Sequence, residues 1–321
     1  MNTLAKLRLH DLAPPQDDFL AAVLDGLGRA RKTLPCKFFY DEAGSALFDA
    51  ICDTPEYYPT RTELGILTAA AGEIADLAGR GGVLVEYGSG SSRKTRLLLD
   101  VLAPAVYMPI DISREHMLAA CHTLAQDYTA LHLMAVCADY TRPLRLPTVA
   151  RGGQRRLAFF PGSSIGNFAP LEALRFLKNV ALQLAPDDGF LIGVDLKKDP
   201  AILNAAYNDA GGVTAAFNLN LLARCNRELG ADFDLTAFAH RAFYNDAVGR
   251  IEMHLESACE QRVWIAGQVF SFAAGETIHT ENSYKYAADE FRRLAVQAGF
   301  QPQQCWMDEA RLFSVHLFRR T

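Results

Sequence analysis

The seven cysteines of this 321-residue chain include no Cys-x-x-Cys pair, and its eight histidines show no His-Glu-x-x-His or His-x-His spacing. A disulfide framework, a structural zinc centre and a protein-bound metal of the usual ligand spacings are therefore not expected. The cysteines read as small buried apolar residues in a reducing compartment. No apolar run approaches the roughly 18 residues of a membrane span. The opening "MNTLAKLRLHDLAPPQDDF" has no apolar block and no small-residue cleavage site, so the expected location is the cytoplasm. There is no basic surplus either: the formal net charge is -5, against a nucleic-acid partner. What is present is a globular composition, half hydrophobic and 21% charged, in a chain long enough for one large domain and a smaller one.

The rhythm changes along the chain. "DDFLAAVLDGLGRARKTL" and "SALFDAICD" have helical periodicity. In "EYYPTRTELGILTAAAGEIADLAG", Thr60 and Glu63 stand at capping-box spacing before a helical pattern. From about residue 82, strands alternate with helices: "GVLVEYG", "AVYMPIDIS", "LHLMAVCADY", "RRLAFFPG" and "GFLIGVDL" are the strands. That alternation predicts right-handed crossovers and a parallel, doubly wound sheet. It breaks after Asp199-Pro200. A helical stretch interrupted at Gly211-Gly212 follows, then "GRIEMHLES" and "QRVWIAGQVFSF", read as strands paired with each other. "YAADEFRRLAVQAGF" is a helix, and "QPQQCWMD" and "RLFSVHLFRR" are closing strands. The expected architecture is α/β: a Rossmann-like doubly wound sheet over 66–200 and 285–321, with a smaller α+β cap over 1–65 and 201–284.

The first strand of the sheet runs into "VLVEYGSGSSRKTRLLLD". Gly88 and Gly90 permit a tight turn and close approach of a ligand. A dinucleotide fingerprint would have a third glycine where Arg93 stands. One βα unit on, the strand in "PIDIS" ends at Asp111, placed to accept from ribose hydroxyls. "CADY" then offers Asp139 and Tyr140 for an adenine. The order suits S-adenosylmethionine, which has no phosphate for the loop to neutralise. NAD and a plain βα turn remain open on this signal, and each aspartate could merely cap a helix.

Other candidates lie outside that motif. "GSSIGNF" follows the fourth strand and offers a turn ending in Asn167, whose amide can donate and accept; an Asx-turn or helix cap is the alternative reading. Tyr40, Tyr57, Tyr58 and Tyr207 lie outside the sheet, and aromatic faces attract quaternary ammonium groups, although any one of them alone reads as packing. In "GETIHTENSYKY", Glu281 and Ser283 share a face if the segment is extended, and could grip a ring with N–H groups.

Taken together, "LPCKFFYDEAGSALFDAICDTPEYYPTRTE", "VEYGSGSSRKTRLLLD", "FPGSSIGNFAP", "AAYNDAGGVTAAFNLNLLARCNRELGADFDL", "RIEMHLES" and "HTENSYKY" resemble the histidine-specific N-alpha-methyltransferases of ergothioneine biosynthesis, in order and over nearly the whole chain. The resemblance implies a class I methyltransferase sheet with a substrate-binding domain. It implies conversion of L-histidine to trimethylhistidine (hercynine) with three S-adenosylmethionines. It implies cofactor positions at Gly88, Lys94, Asp111, Asp139 and Tyr140. Asn167 and Tyr207 match residues that hold the amino acid's amine and carboxylate, and Tyr57, Glu281 and Ser283 match an imidazole-binding group. Met253 matches a pocket wall linked to selectivity. Tyr40 matches an aromatic near the amine and, with Asn167, is the candidate route for proton loss. The sequence departs from relatives at "EYGSGSSRK" for "ELGSGTSEK", at "CADY" for "GDF", and at Asn282, where a small apolar residue can occur. The rival readings are an N-methyltransferase for another small amino acid or amine, and an NAD-linked oxidoreductase. A monomer with a small-molecule substrate, and with no nucleic-acid or membrane partner, is expected.

Overall fold

The computed structural model describes residues 7–12, 18–88, 93–149 and 155–321. The chain folds as two compact units, one of residues 1–14, 59–197 and 285–321, the other of residues 15–58 and 198–284.

The first unit is built on β1 (Leu7–Asp11), β2 (Val83–Tyr87), β3 (Val106–Asp111), β4 (His132–Cys137), β5 (Arg156–Phe160), β6 (Gly189–Asp195), β12 (Phe300–Met307) and β13 (Phe313–Arg320). They form an eight-stranded sheet in the order β1-β4-β3-β2-β5-β6-β13-β12. Pairings from β1 through β6 are parallel, whereas β13 is antiparallel to both β6 and β12. This is the expected Rossmann-like, doubly wound class I sheet. Its central strands are continuous apolar runs because both faces are covered: every residue of β2, β5 and β6 is buried.

One face carries α3 (Tyr58–Ala78, from Pro59 on), α4 (Arg93–Leu102) and α5 (Arg114–Asp127). Their Leu67, Ile74, Leu98, Leu102, Met117 and Leu124 join one cluster with Leu84, Leu133, Leu157 and Phe159 of the sheet. Each such fully buried aliphatic contributes about 1.5–3 kcal/mol. The opposite face carries α6 (Pro170–Gln183) and α9 (Ala288–Gln297). There Phe160 packs on Phe176 at 4.5 Å between ring centroids and Phe291 lies 6.2 Å from Phe318. Successive residues of β5 thus serve opposite faces, as the pleat requires.

Three expectations need correction here. The N-terminal segment is expected in the cap, yet Leu7–Asp11 pairs in parallel with Leu133–Cys137 at the sheet edge. The alternation in "LRLHD" explains it, since Leu7 and Leu9 pack on the sheet's core while Arg8 between them is exposed. The boundary at 65/66 moves to 58/59. Thr60 and Glu63 do not form a capping box: the helix already begins at Tyr58, with Pro59 inside its first turn. Glu63 is then a fully buried side chain.

The second unit contains α1 (Asp18–Leu27), α2 (Glu42–Cys52), α7 (Pro200–Ala206) and α8 (Val213–Leu229). Asp199 caps α7 by accepting from the backbone N–H of Ala201 at 2.8 Å. Its strands are β7 (Phe238–Asn245), β8 (Arg250–Ser257), β9 (Gln261–Ile265), β10 (Gln268–Phe272) and β11 (Thr277–Tyr284). A three-stranded antiparallel sheet has the order β11-β8-β7, and among the described residues β9 pairs with β10 alone. The expected pairing of "GRIEMHLES" with "QRVWIAGQVFSF" is therefore wrong. The latter folds back on itself, because Ala266 and Gly267 both take positive φ and form the tight hairpin turn.

Candidate active site

In the first unit the strand order reverses at β2, which has β3 on one side and β5 on the other. Ligands of such sheets bind at the carboxyl ends beside that point. Gly88 stands there with φ +75°, and a Cβ on it would lie 3.4 Å from the Tyr140 hydroxyl. Tyr140 is held edge-on by Tyr87 and Phe160, at 6.2 and 5.7 Å. Gly90 lies outside the described residues. Asp111 ends β3, with Oδ1 accepting from the Ser113 N–H at 2.8 Å. Asp139 follows β4, with Oδ1 accepting from the Thr141 N–H at 3.0 Å and Oδ2 3.6 Å from the Arg142 guanidinium. Both aspartates are thus oriented by local turns at adjacent strand ends. A tight glycine, two acceptors and an aromatic edge suit a nucleoside with hydroxyl and amino donors.

A buried ion pair braces this rim. Lys94, in the first turn of α4, pairs with Glu63 of α3. The same carboxylate oxygen, Oε2, accepts from the Gly162 N–H at 2.8 Å. Glu63 thus fastens the exit of β5 to the start of α4. Gly193 in β6 leaves room for it: a Cβ there would come within 2.0 Å of Glu63 Oε1. Asn167 closes the short turn Ser164–Asn167 after β5 and is half-buried. It does not cap α6, whose N-cap is Ala169. Ser163, in the left-handed region, accepts from the Asp195 N–H at 2.8 Å, tying this turn to the end of β6. Glu86, one residue before the end of β2, is buried and its carboxyl is pushed up to about 7. Burial is the main cause, and hydrogen bonds from Tyr107 and Thr95 oppose it.

The second unit gathers the remaining candidates. Tyr57 and Tyr207 are buried and meet edge-to-face at 6.2 Å. The Tyr207 hydroxyl donates to Ser283 Oγ at 2.8 Å. Glu281 sits opposite Met253 in the β8/β11 register, and Met253 is buried. Burial pushes the Tyr57 phenol well up, and the neighbouring Tyr207, Cys52, Glu281 and Tyr40 push it further. Tyr57 therefore stays a neutral phenol beside those groups. Tyr40 stands edge-on to Phe48 and Phe217, at 5.7 and 5.9 Å, and Phe48 in turn to Tyr57 at 6.4 Å. Within this unit Tyr40, Tyr57, Tyr207, Met253, Glu281 and Ser283 thus form one aromatic and acidic neighbourhood.

Several contributors escaped the sequence reading. Phe48 and Phe217 complete the aromatic wall, and both were visible only as apolar positions in helical stretches. A buried polar chain runs behind Tyr207: Thr280 Oγ1 donates to Asn218 Oδ1 at 2.7 Å, Asn218 Nδ2 meets His240 Nδ1 at 2.9 Å, and His240 Nε2 meets the Tyr207 carbonyl at 2.9 Å. The bonding is self-consistent with a neutral His240, N–H on Nε2, and burial lowers the pKa of this ring. One grouping departs from the expectation that the chain has no metal-ligand set: Glu252, His254 and His279 bring their ligand atoms within 4.8 Å of one another. Their spacing combines two alternate residues of β8 with a cross-strand neighbour, which no local motif reveals.

A family model described as histidine-specific methyltransferase, SAM-dependent, matches residues 19–320. The chain belongs to this family. Its methyl donor is S-adenosylmethionine. A histidine N-alpha-methyltransferase of Mycolicibacterium smegmatis is 44% identical over 299 residues, covering 91% of this chain and 92% of the relative. The ergothioneine biosynthesis protein 1 of Neurospora crassa is 34% identical, over 86% of this chain and 32% of that longer protein. A 4-dimethylallyltryptophan N-methyltransferase of Arthroderma benhamiae is 27% identical, over 88% of each chain. No helix among the described residues is long and apolar enough to cross a membrane.

Proposed function

We propose that this protein trimethylates the α-amine of L-histidine, giving hercynine, as the first step of ergothioneine biosynthesis. The observation that carries this reading is 44% identity over nearly the full length to an enzyme named for that activity. The first unit is the donor-binding domain and the second the acceptor-binding domain. Asp111 takes the ribose hydroxyls, Asp139 and Tyr140 the adenine, and the ammonium of Lys94 the carboxylate end of the donor.

S-adenosylmethionine supplies a sulfonium methyl that is already activated, so the chain contributes alignment and a nitrogen with a free lone pair. The amine's reference pKa is about 7.7–8.0 in peptides. Partial desolvation lowers it, and no strong dedicated base is required. Asn167 and Tyr207 are assigned to the amine and carboxylate of the amino acid, and either Tyr40 or Asn167 passes the departing proton to water. Growing positive charge on nitrogen is met by the faces of neutral tyrosines, which stabilise a quaternary ammonium without a directional bond. Glu281 and Ser283 bind the imidazole, and Met253 walls the side chain; a carboxylate facing an N–H leaves an apolar side chain at a disadvantage.

Mass spectrometry of histidine incubated with donor and enzyme is expected to show additions of one, two and three methyl groups. A second reading, methylation of another amine, draws on the relative that acts on 4-dimethylallyltryptophan. A labelled-methyl screen across amino acids separates the two: preference for tryptophan or an aliphatic amino acid over histidine would overturn the first.

A further inference from the structure

On the face of the three-stranded sheet opposite Met253, the strands bring together Glu252, His254, His279 and Asn282. Glu252 and His254 are alternate residues of β8 and therefore share a face. His279 is the cross-strand partner of His254, and Asn282 that of Glu252. His254 Nε2 lies 3.2 Å from Glu252 Oε2. Two ligands each about 2.0–2.1 Å from one tetrahedral ion lie about 3.3 Å apart, so this pair already has the separation of two donors on one cation.

The surroundings prepare each donor. Arg250 holds Glu252 by Oε1 at 2.7 Å, leaving Oε2 towards His254. His279 Nε2 lies 3.0 Å from the Glu281 carbonyl. Donation there puts the lone pair on Nδ1, the arrangement that orients metal-bound imidazoles. Asn282 Oδ1 is buried with no partner among the described residues, and so is His254 Nδ1. The nearby Arg241 guanidinium is paired with Glu256 at 3.0 Å. Together the charges of Arg241, Arg250, Glu252 and Glu256 balance before any ion arrives. The rings of His254 and His279 are stacked at 4.6 Å, so the His279 ring must tilt to close the set.

We propose that Glu252, His254 and His279, with Asn282 as the fourth donor, form a binding site for a divalent transition metal, with Zn²⁺ as the reference ion. Two imidazoles and a carboxylate are a borderline donor set that suits zinc over magnesium or calcium. The site is separate from the methyl-transfer chemistry. It staples β8 to β11, the two strands whose other face carries Met253 and Glu281.

The test uses untagged full-length protein stripped with a chelator. Zn²⁺ is titrated by calorimetry and by competition with a chromophoric chelator, and Co²⁺ is followed by its visible absorption. About one ion per chain is expected, with an intense absorption of low-coordinate Co²⁺ and a rise in melting temperature with added Zn²⁺. His254→Gln and His279→Asn are each expected to weaken binding at least tenfold and to abolish the thermal shift, with Asn282→Ala weakening it less. Two variants in different strands guard against one failing to fold. Absence of Zn²⁺ uptake by the wild-type protein overturns the proposal. So does uptake unchanged in both histidine variants, which would place the ion on thiols such as the exposed Cys259.

Discussion

The ammonium of Lys94 is paired with the carboxylate of Glu63, a side chain with no exposed surface, 31 residues earlier in the chain. The carboxylate also takes the Gly162 N–H, so one buried charge sets both the first turn of α4 and the turn that leads to Asn167. Removing one partner of a buried pair leaves the other uncompensated, at about 3–5 kcal/mol. Glu63→Gln is therefore expected to lower the unfolding free energy by about that much in urea titrations. The double variant Glu63→Gln/Lys94→Met recovers part of the loss. If the double is as unstable as the sum of the singles, the two charges are not coupled.

Glu86 gives a pH dependence with an unusual sign. Its carboxyl is raised from 4.5 to about 7, so between those values the folded protein keeps a proton that the unfolded chain has released. Stability contributed by this group is fully present below about pH 4.5 and declines as pH rises towards 7, by about 3 kcal/mol. Glu86→Gln cannot ionise and is expected to lose that slope. Relative to wild type it should be more stable at pH 8 than at pH 5. The buried His316, lowered to about 3, contributes a slope of opposite sign, but it does so in both proteins and cancels in the difference. Equal differences at both pH values would show that Glu86 is ionised throughout.

Glu281→Ala is expected to reduce kcat/KM for histidine at least tenfold, or about 1.4 kcal/mol of transition-state binding. The affinity for S-adenosylmethionine, measured by calorimetry, should hold, because Glu281 belongs to the second unit. Unchanged discrimination among amino acids would remove the carboxylate from ring recognition.

Tyr40→Phe keeps the edge-on packing against Phe48 and Phe217 and deletes only the hydroxyl. The expected consequence is a shifted pH–rate profile or a build-up of mono- and dimethylated product, read by mass spectrometry. An unaltered profile and product distribution would exclude the phenol from proton removal.

The central sheet was legible in the sequence because its strands are buried on both faces and read as unbroken apolar runs such as "VLVEY" and "RLAFF". β1 and β7 were not, since "LRLHD" and "FAHRAFYN" mix polar residues into half-covered strands. Glu63 was visible, but its role was not: spacing to Thr60 suggested a cap, and only the fold brings Lys94, Gly162 and the gap at Gly193 around it. The ligand-type residues Asp111, Asp139 and Glu281 stood out by position at strand ends or in an extended segment. His254 and His279 did not, because their neighbourhood is a cross-strand pairing rather than a local motif.

The chain passes between its two units at 14/15, 58/59, 197/198 and 284/285. The unit carrying Tyr57, Tyr207, Met253 and Glu281 is thus written as two separated segments of the gene. Shuffling it as a single cassette would demand four coordinated joints. New acceptors in this lineage are accordingly expected to arise through replacement of individual side chains on a retained backbone, and chimaeras made with one splice should fail to fold.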